Sequence, residues 1–344
     1  MQGAYGMDRR QTVIDALEFR RPAYVPWQWS PTQTCAERLR SYLGVGDLSG
    51  FLGDHFCICG ASIGRFEPVD DDHVRDVYGV VWDRSVDKDI GVPADWPIRE
   101  PQDLDRYRWP DAADSAWYAD IPAALARRGD RFTVYALGFS LYERAWTMRG
   151  MVELLGDMIG RPEFVERLLD VITDHNLVQI HKALAFDFDA VYFGDDYGMQ
   201  TGLIMGLDRW RRFIKPRLAR MFAPVREAGK FIILHSCGRV DQLFDDLVEI
   251  GLNCFNPFQP EVMDTLALKR RYHGRLAFHG GLSVQQVLPF GTVNEVRRAA
   301  QTLLDAGREG GLIFAPSHAA PADVPPENLV AMMEVLRGQP GAPA

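Results

Sequence analysis

Residues 231–258 read FIILHSCGRVDQLFDDLVEIGLNCFNPF, and this stretch decides the fold. Residues 231–234 are a short apolar run without polar alternation, the pattern of a strand buried on both faces. His235 and Cys237 follow at its end, and Gly238 lets the backbone turn sharply. Residues 240–250 then take a helical pattern, Gly251 stands where that helix should stop, and residues 253–255 are apolar again. Strand, polar strand end, helix and strand together make one unit of a parallel sheet.

The unit recurs outward from there. Apolar runs occupy residues 25–29, 54–59, 132–137, 190–193, 231–234, 253–255, 276–278 and 312–315. Helical patterns at 161–184, 209–228, 240–250, 263–272, 293–306 and 325–336 alternate with them. Pro216 should bend or divide the second of these helices, and Gly307 should end the fifth. Eight strands alternating with helices predict a single α/β domain over residues 1–344, a (β/α)8 TIM barrel. Residues 60–120 carry Gly, Pro, Trp and charge clusters with little helical period, and read as an excursion of loops and a short hairpin between strands two and three. That excursion is placed to cover one end of the barrel. Residues 338–344 read as a disordered tail.

Composition bounds the function. Of 344 residues, 47% are hydrophobic and 25% charged, which excludes a disordered or fibrous chain. The formal net charge of −9 argues against a nucleic-acid or anionic-membrane surface, because both need clustered Lys and Arg. No run approaches about 18 uncharged apolar residues, so no membrane span is expected. Five cysteines suggest a reducing compartment rather than a disulfide framework, and residues 1–10 lack the apolar core of a signal peptide. The expectation is a cytoplasmic enzyme acting on a small molecule.

In a barrel of this kind chemistry gathers at the C-terminal ends of the strands. Those ends carry Gln28 and Trp29, Asp195 and Asp196, His235 and Cys237, Gln259, His279 and His318. His and Cys two apart on an extended segment point to one side, and imidazole and thiolate are both good zinc ligands. His318 ends the last strand and supplies a third ligand, leaving an open position, as catalytic zinc requires. A His-x-Cys pair also occurs as two partly buried residues with no metal, and Cys57 and Cys59, inside an apolar run, read as small core residues. Of Asp195 and Asp196, one is expected to cap the following segment and the other to bind substrate or act as an acid or base. Trp29 and Trp146 are the tryptophans placed to floor a pocket. His175 and His273 read as surface residues.

The chain resembles the uroporphyrinogen decarboxylase superfamily. The resemblance runs from Arg20-Arg21-Pro22-Ala23-Tyr24-Val25-Pro26 to Val324-Pro325-Pro326-Glu327-Asn328. It rests on the motif at 235–238, on Asn256-Pro257-Phe258-Gln259-Pro260, on Phe278-His279-Gly280-Gly281-Leu282 and on the segment 316–328. It implies a (β/α)8 barrel, often a homodimer. One branch of the superfamily decarboxylates a porphyrinogen and has a histidine where His318 stands. Its N-terminal arginines should follow Val25-Pro26, where this chain has Trp27-Gln28-Trp29-Ser30-Pro31, and the acid it places after the second strand is missing from Cys59-Gly60-Ala61-Ser62. The other branch comprises zinc-dependent methyltransferases that work with a corrinoid protein and carry His-x-Cys at the position of His235 and Cys237. Their third ligand is typically a cysteine near His318. The resemblance therefore implies zinc on His235, Cys237 and His318, a corrinoid (cobalamin-type) methyl carrier, and a thiol or methyl ether as substrate. Two other functions remain open at this stage: metal-independent decarboxylation of a porphyrinogen or smaller carboxylic acid, and a non-catalytic protein that binds a tetrapyrrole or corrinoid.

Overall fold

The computed structural model describes residues 8–60, 66–86 and 88–343. Its centre is a wholly parallel sheet whose strands neighbour one another in chain order. They are β1 (Phe56–Gly60), β2 (Phe132–Leu137), β3 (Ala190–Gly194), β4 (Phe231–His235), β5 (Cys254–Phe258), β6 (Ala277–Leu282) and β7 (Leu312–Pro316). These are seven of the eight predicted runs. The remaining one, residues 25–29, is not an extended strand. It meets β7 through the single parallel bridge Trp27–Phe314, with Gln28 N–H donating to Phe314 O at 3.1 Å and Phe314 N–H to Pro26 O at 2.8 Å. Pro26 has no N–H to extend that ladder.

Side chains alternate across each strand, so residues two apart share a face. Phe56, Val134, Ala190, Ile233, Cys254, Ala277 and Ile313, one from each strand, form a buried cluster closed by Val13 and Leu17 of the first helix (Arg9–Leu17). Two residues further along the same strands stand Ile58, Ala136, Tyr192, His235, Asn256, His279 and Ala315. All seven line one cavity. The lower layer is its apolar floor. The opposite faces of the strands pack under the helices in a second, larger core that includes Cys57 and Cys59.

The pattern at 161–184 is the long helix Pro162–Leu184, which opens on its proline. The 209–228 pattern divides: a π-helical turn (Trp210–Ile214) precedes the helix Lys215–Glu227, where Pro216 sits in the first turn and its missing N–H costs nothing. Gly307 is the last residue of its helix, Val293–Gly307, as expected. An added Cβ there would come within 2.9 Å of Val25 Cγ1, so the position is held small by packing rather than by a turn. Gln339 donates to Val25 O and accepts from Val25 N–H, which anchors the start of the predicted disordered tail.

In place of a short hairpin, the excursion forms a four-stranded antiparallel sheet of Glu67–Pro68, His73–Arg75, Val81–Asp83 and Val92–Asp95. It is tied to the helix Tyr142–Arg149 by a buried ion pair, Arg144 Nη1 to Asp76 Oδ2 at 3.0 Å, with the guanidinium 3.8 Å over the Tyr78 ring. Among the described residues none of the excursion lines the cavity; residues 61–65 lie outside the description. His175 is not a surface residue: it packs among the rings of Tyr78, Trp109 and Trp117. His273 is exposed, with its ring edge-on to Phe19. Among the described residues no helix is long and apolar enough to cross a membrane.

Candidate metal centre

The parallel register pairs His235 of β4 with Asn256 of β5. His235 Nδ1 lies 2.7 Å from Asn256 Oδ1. The amide is oriented by two further bonds: Tyr192 Oη–H donates to the same Oδ1 at 3.1 Å, and Asn256 Nδ2 donates to His279 O at 3.0 Å. An amide oxygen only accepts, so Nδ1 carries a hydrogen, and in the neutral ring Nε2 is the nitrogen that presents a lone pair. Cys237 Sγ is 3.4 Å from that Nε2. Gly238 makes the turn possible at φ +84°, and a Cβ there would collide with the backbone of Gly198. Arg239 N–H donates to Met199 O at 2.8 Å, so the two loops are closely apposed.

Ligand atoms of His235, Cys237 and His318 all lie within 4.8 Å of one another. Tetrahedral zinc, with bonds of roughly 2.0–2.3 Å, needs ligand atoms roughly 3.5 Å apart. The Nε2–Sγ separation matches that spacing. The donor set also fits: two imidazoles, one tautomer fixed by a neighbour, and one sulfur. His318 is exposed, and its ring centroid is 5.9 Å from that of His235. Desolvation against the wall, and then the nearby His235, hold His318 below the usual histidine value, so it is neutral and able to ligate. Burial, with Asp196 and Glu143 close by, pushes the Cys237 thiol well up; only a cation would favour its thiolate.

The two adjacent carboxylates part company. Asp195 is fully buried and engaged: it accepts from Tyr142 N–H at 2.9 Å, Glu143 N–H at 2.7 Å and Tyr197 Oη–H at 2.7 Å. It holds the start of the helix Tyr142–Arg149, the capping role expected of one of the two aspartates, although the helix it caps precedes it in the chain. Burial raises its pKa to about 6 despite those donors. Asp196 Oδ1 accepts from Cys237 N–H at 2.7 Å and lies 3.6 Å from His235 Nε2.

The cavity inside the barrel mouth measures about 300 Å³. Gln28, Trp29, His279 and His318 line it. Gln28 has both amide atoms spent, accepting from Phe56 N–H and donating to Asp54 Oδ1. His279 is buried, and burial lowers its pKa to about 4. Trp146 does not line the cavity but packs on the helix side of the core. Gln259 does not line it either: its Oε1 accepts from Gly238 N–H at 2.6 Å, and it borders a second cavity of about 500 Å³ beyond His318. Both cavities touch His318. A further cavity of about 500 Å³, bordered by Tyr24 and Gln339, holds none of the predicted site residues.

Sequence reasoning missed Asn256, Tyr192 and Glu143. Asn256 and Tyr192 stand in the middle of their strands, on the cavity-facing side level with His235, and alternation along each strand could have flagged them. Glu143 carries no such signal. Only the fold brings it beside Asp195 and Asp196, where burial and those two carboxylates raise its pKa well above the usual glutamate value.

A family model described as uroporphyrinogen decarboxylase (URO-D) matches residues 85–339, most of the chain. No curated protein matches it. Among solved structures, a methyltransferase from Methanosarcina mazei superposes with a TM-score of 0.65 at 16% identity, over 96% of this chain and 98% of that one. That likeness is one of fold. The 7,8-dihydropteroate synthase from Vibrio fischeri gives a TM-score of 0.30 at 12% identity, over 91% of this chain and 92% of that one.

Proposed function

The chain belongs to the uroporphyrinogen decarboxylase (URO-D) family, and on that footing we propose that it is a zinc-dependent methyltransferase moving a methyl group between a small thiol or methyl ether and a corrinoid. The observation that carries this reading is the convergence of His235, Cys237 and His318 within 4.8 Å, with the His235 ring oriented by Asn256 so that Nε2 faces Cys237. Zinc held there would stabilise a thiolate near neutral pH or polarise an ether oxygen.

The chain's own residues do the rest. Asn256 and Tyr192 hold the His235 ring in place. Asp196 holds the backbone of Cys237 and, 3.6 Å from His235 Nε2, is placed to take the proton that a thiol gives up on entering. The apolar floor formed by Phe56 and Val134 keeps water from the substrate. His318 stands between two cavities, which supports transfer between partners that approach from different sides.

Porphyrinogen decarboxylation fits the inner cavity less well. Among the described residues lining it there is no Lys or Arg, and several buried carboxylates without cations are expensive.

Metal analysis of protein purified without added zinc tests the reading, beside His235→Ala and Cys237→Ser. About one zinc per chain in the wild type, lost in both variants, is expected. Wild type with no more metal than the variants removes the proposal.

A further inference from the structure

Four consecutive backbone N–H groups belong to the loop that bears Cys237, and each is bonded to a different acceptor. Ser236 N–H donates to Asn256 O at 2.7 Å and Arg239 N–H to Met199 O at 2.8 Å. Cys237 N–H donates to Asp196 Oδ1 at 2.7 Å, and Gly238 N–H to Gln259 Oε1 at 2.6 Å. The outer two acceptors are backbone carbonyls. The inner two are side chains.

Those two side chains act differently. Asp196 is an acid 3.6 Å from His235 Nε2, so it acts on this site through its charge as well as through its hydrogen bond. Gln259 is uncharged, and what it supplies is geometry. It is 5% exposed, and its own backbone is tied down, since Gln259 O accepts from Met263 N–H at 3.2 Å. It directly follows β5, the strand that carries Asn256 and so orients the His235 ring.

The N–H that Gln259 holds belongs to Gly238, at φ +84°. Glycine has the widest backbone freedom of any residue, so an unheld loop would relax there first. A single χ1 torsion separates the Cys237 sulfur from its backbone, so a shift of that backbone carries the sulfur with it. The 3.4 Å between Sγ and His235 Nε2 is therefore only as well defined as the backbone of residues 237 and 238.

We propose that Gln259 is a positioning residue: its amide oxygen, through Gly238 N–H, sets the place of the Cys237 sulfur opposite His235 Nε2. The end of β5 then positions both an imidazole and a thiol. The consequence for zinc rests on the proposed function; the placement of the sulfur does not. Partners that orient a metal ligand in this way are worth about 10–100-fold in affinity.

Gln259→Met keeps the length of the side chain and removes the acceptor. Gln259→Glu keeps an acceptor oxygen whether or not its carboxyl is ionised. Both are compared with wild type as full chains after chelator treatment. In the wild type the Gly238 amide should exchange with deuterium within about tenfold of the rate at Ser236, as read by NMR, a measurement that needs no variant. In Gln259→Met it should exchange at least about tenfold faster, and iodoacetamide should alkylate Cys237 about threefold faster or more. Cys254, fully buried on β5, is the internal control and should keep its rate. Gln259→Glu should return both readings to near wild type. When zinc is added, Gln259→Met should bind it about tenfold less tightly than wild type, and Gln259→Glu should recover most of that loss.

An unprotected Gly238 amide in the wild type, or exchange and alkylation unchanged in Gln259→Met, overturns the inference. Cys254 freed as much as Cys237 also overturns it, since the variant would then have loosened the sheet as a whole. So does zinc bound equally tightly by wild type and Gln259→Met. A wild type that binds no zinc, with Cys237 freed in Gln259→Met, leaves this inference standing and removes the metal reading.

Discussion

His235 Nδ1 and Asn256 Oδ1 stand 2.7 Å apart at paired register positions of adjacent parallel strands. The contact orients the ring so that Nε2 of His235 faces Cys237 Sγ, 3.4 Å away. Ligand orientation of this kind is worth a factor of about 10–100 in metal affinity. Asn256→Ala should therefore weaken zinc binding by about 10–100-fold with the three ligands intact, as read by competition with a chromogenic chelator. Unchanged affinity would mean that the ring is held by something else.

Asp195 should matter for stability and not for metal. Its carboxylate receives two backbone N–H groups and a tyrosine hydroxyl in a fully buried position. Removing it leaves those donors unmet, at a cost of about 2–4 kcal/mol. Urea unfolding of Asp195→Ala should show that loss, while zinc affinity stays within about threefold of wild type. Zinc loss at unchanged stability would place Asp195 back in the chemistry.

Gly238→Ala should destabilise the chain by at least about 2 kcal/mol. The residue has φ +84°, and its missing Cβ is the space taken by the Gly198 backbone. Gly46→Ala, at a position with nothing near the added Cβ, is the control and should change thermal stability little.

Acid should unfold the chain through buried neutral histidines. Burial lowers His55 to about 3 and His175 to about 4. Each folded value lies below the unfolded one near 6.5, so the unfolded state takes up protons first as the pH falls. Their contribution is fully present above about pH 6.5 and declines toward pH 4. Asp195 works the other way: its raised value of about 6 means that the folded state gains a proton between pH 6 and 4 and recovers some stability. His279, lowered to about 4, adds to the histidine side, and Glu143, raised by burial, to the carboxylate side; with three histidines losing their contribution, unfolding free energy should drop between pH 7 and pH 4.5. In His175→Gln the drop should be smaller by on the order of 1 kcal/mol. A flat profile in denaturant melts would contradict this.

Much of the architecture was legible because strand and helix periods are local. The run at 231–234 and the helix after it could be read directly, and seven of the eight runs form the central sheet. The run at 25–29 was over-read because a single bridge and a full strand have the same apolar signature. The 60–120 segment was under-read: its short strands depend on pairing with one another and on the Arg144–Asp76 lock, neither of which leaves a period in the sequence. Asp195 and Asp196 look alike as neighbours in the chain, yet one faces the start of the Tyr142–Arg149 helix and the other the backbone of Cys237.

The sequence by itself determined which residue types stand at the strand ends, because alternation along a strand is a property of the backbone alone. Only the tertiary structure decided that Asn256 would stand opposite His235, that Asp195 would hold the start of the Tyr142–Arg149 helix, and that the His279 ring would be buried against Gln28 O. Those outcomes depend on register between strands and on how each helix returns to the sheet. Both are set by the packing of the whole sheet, which no local stretch of chain encodes.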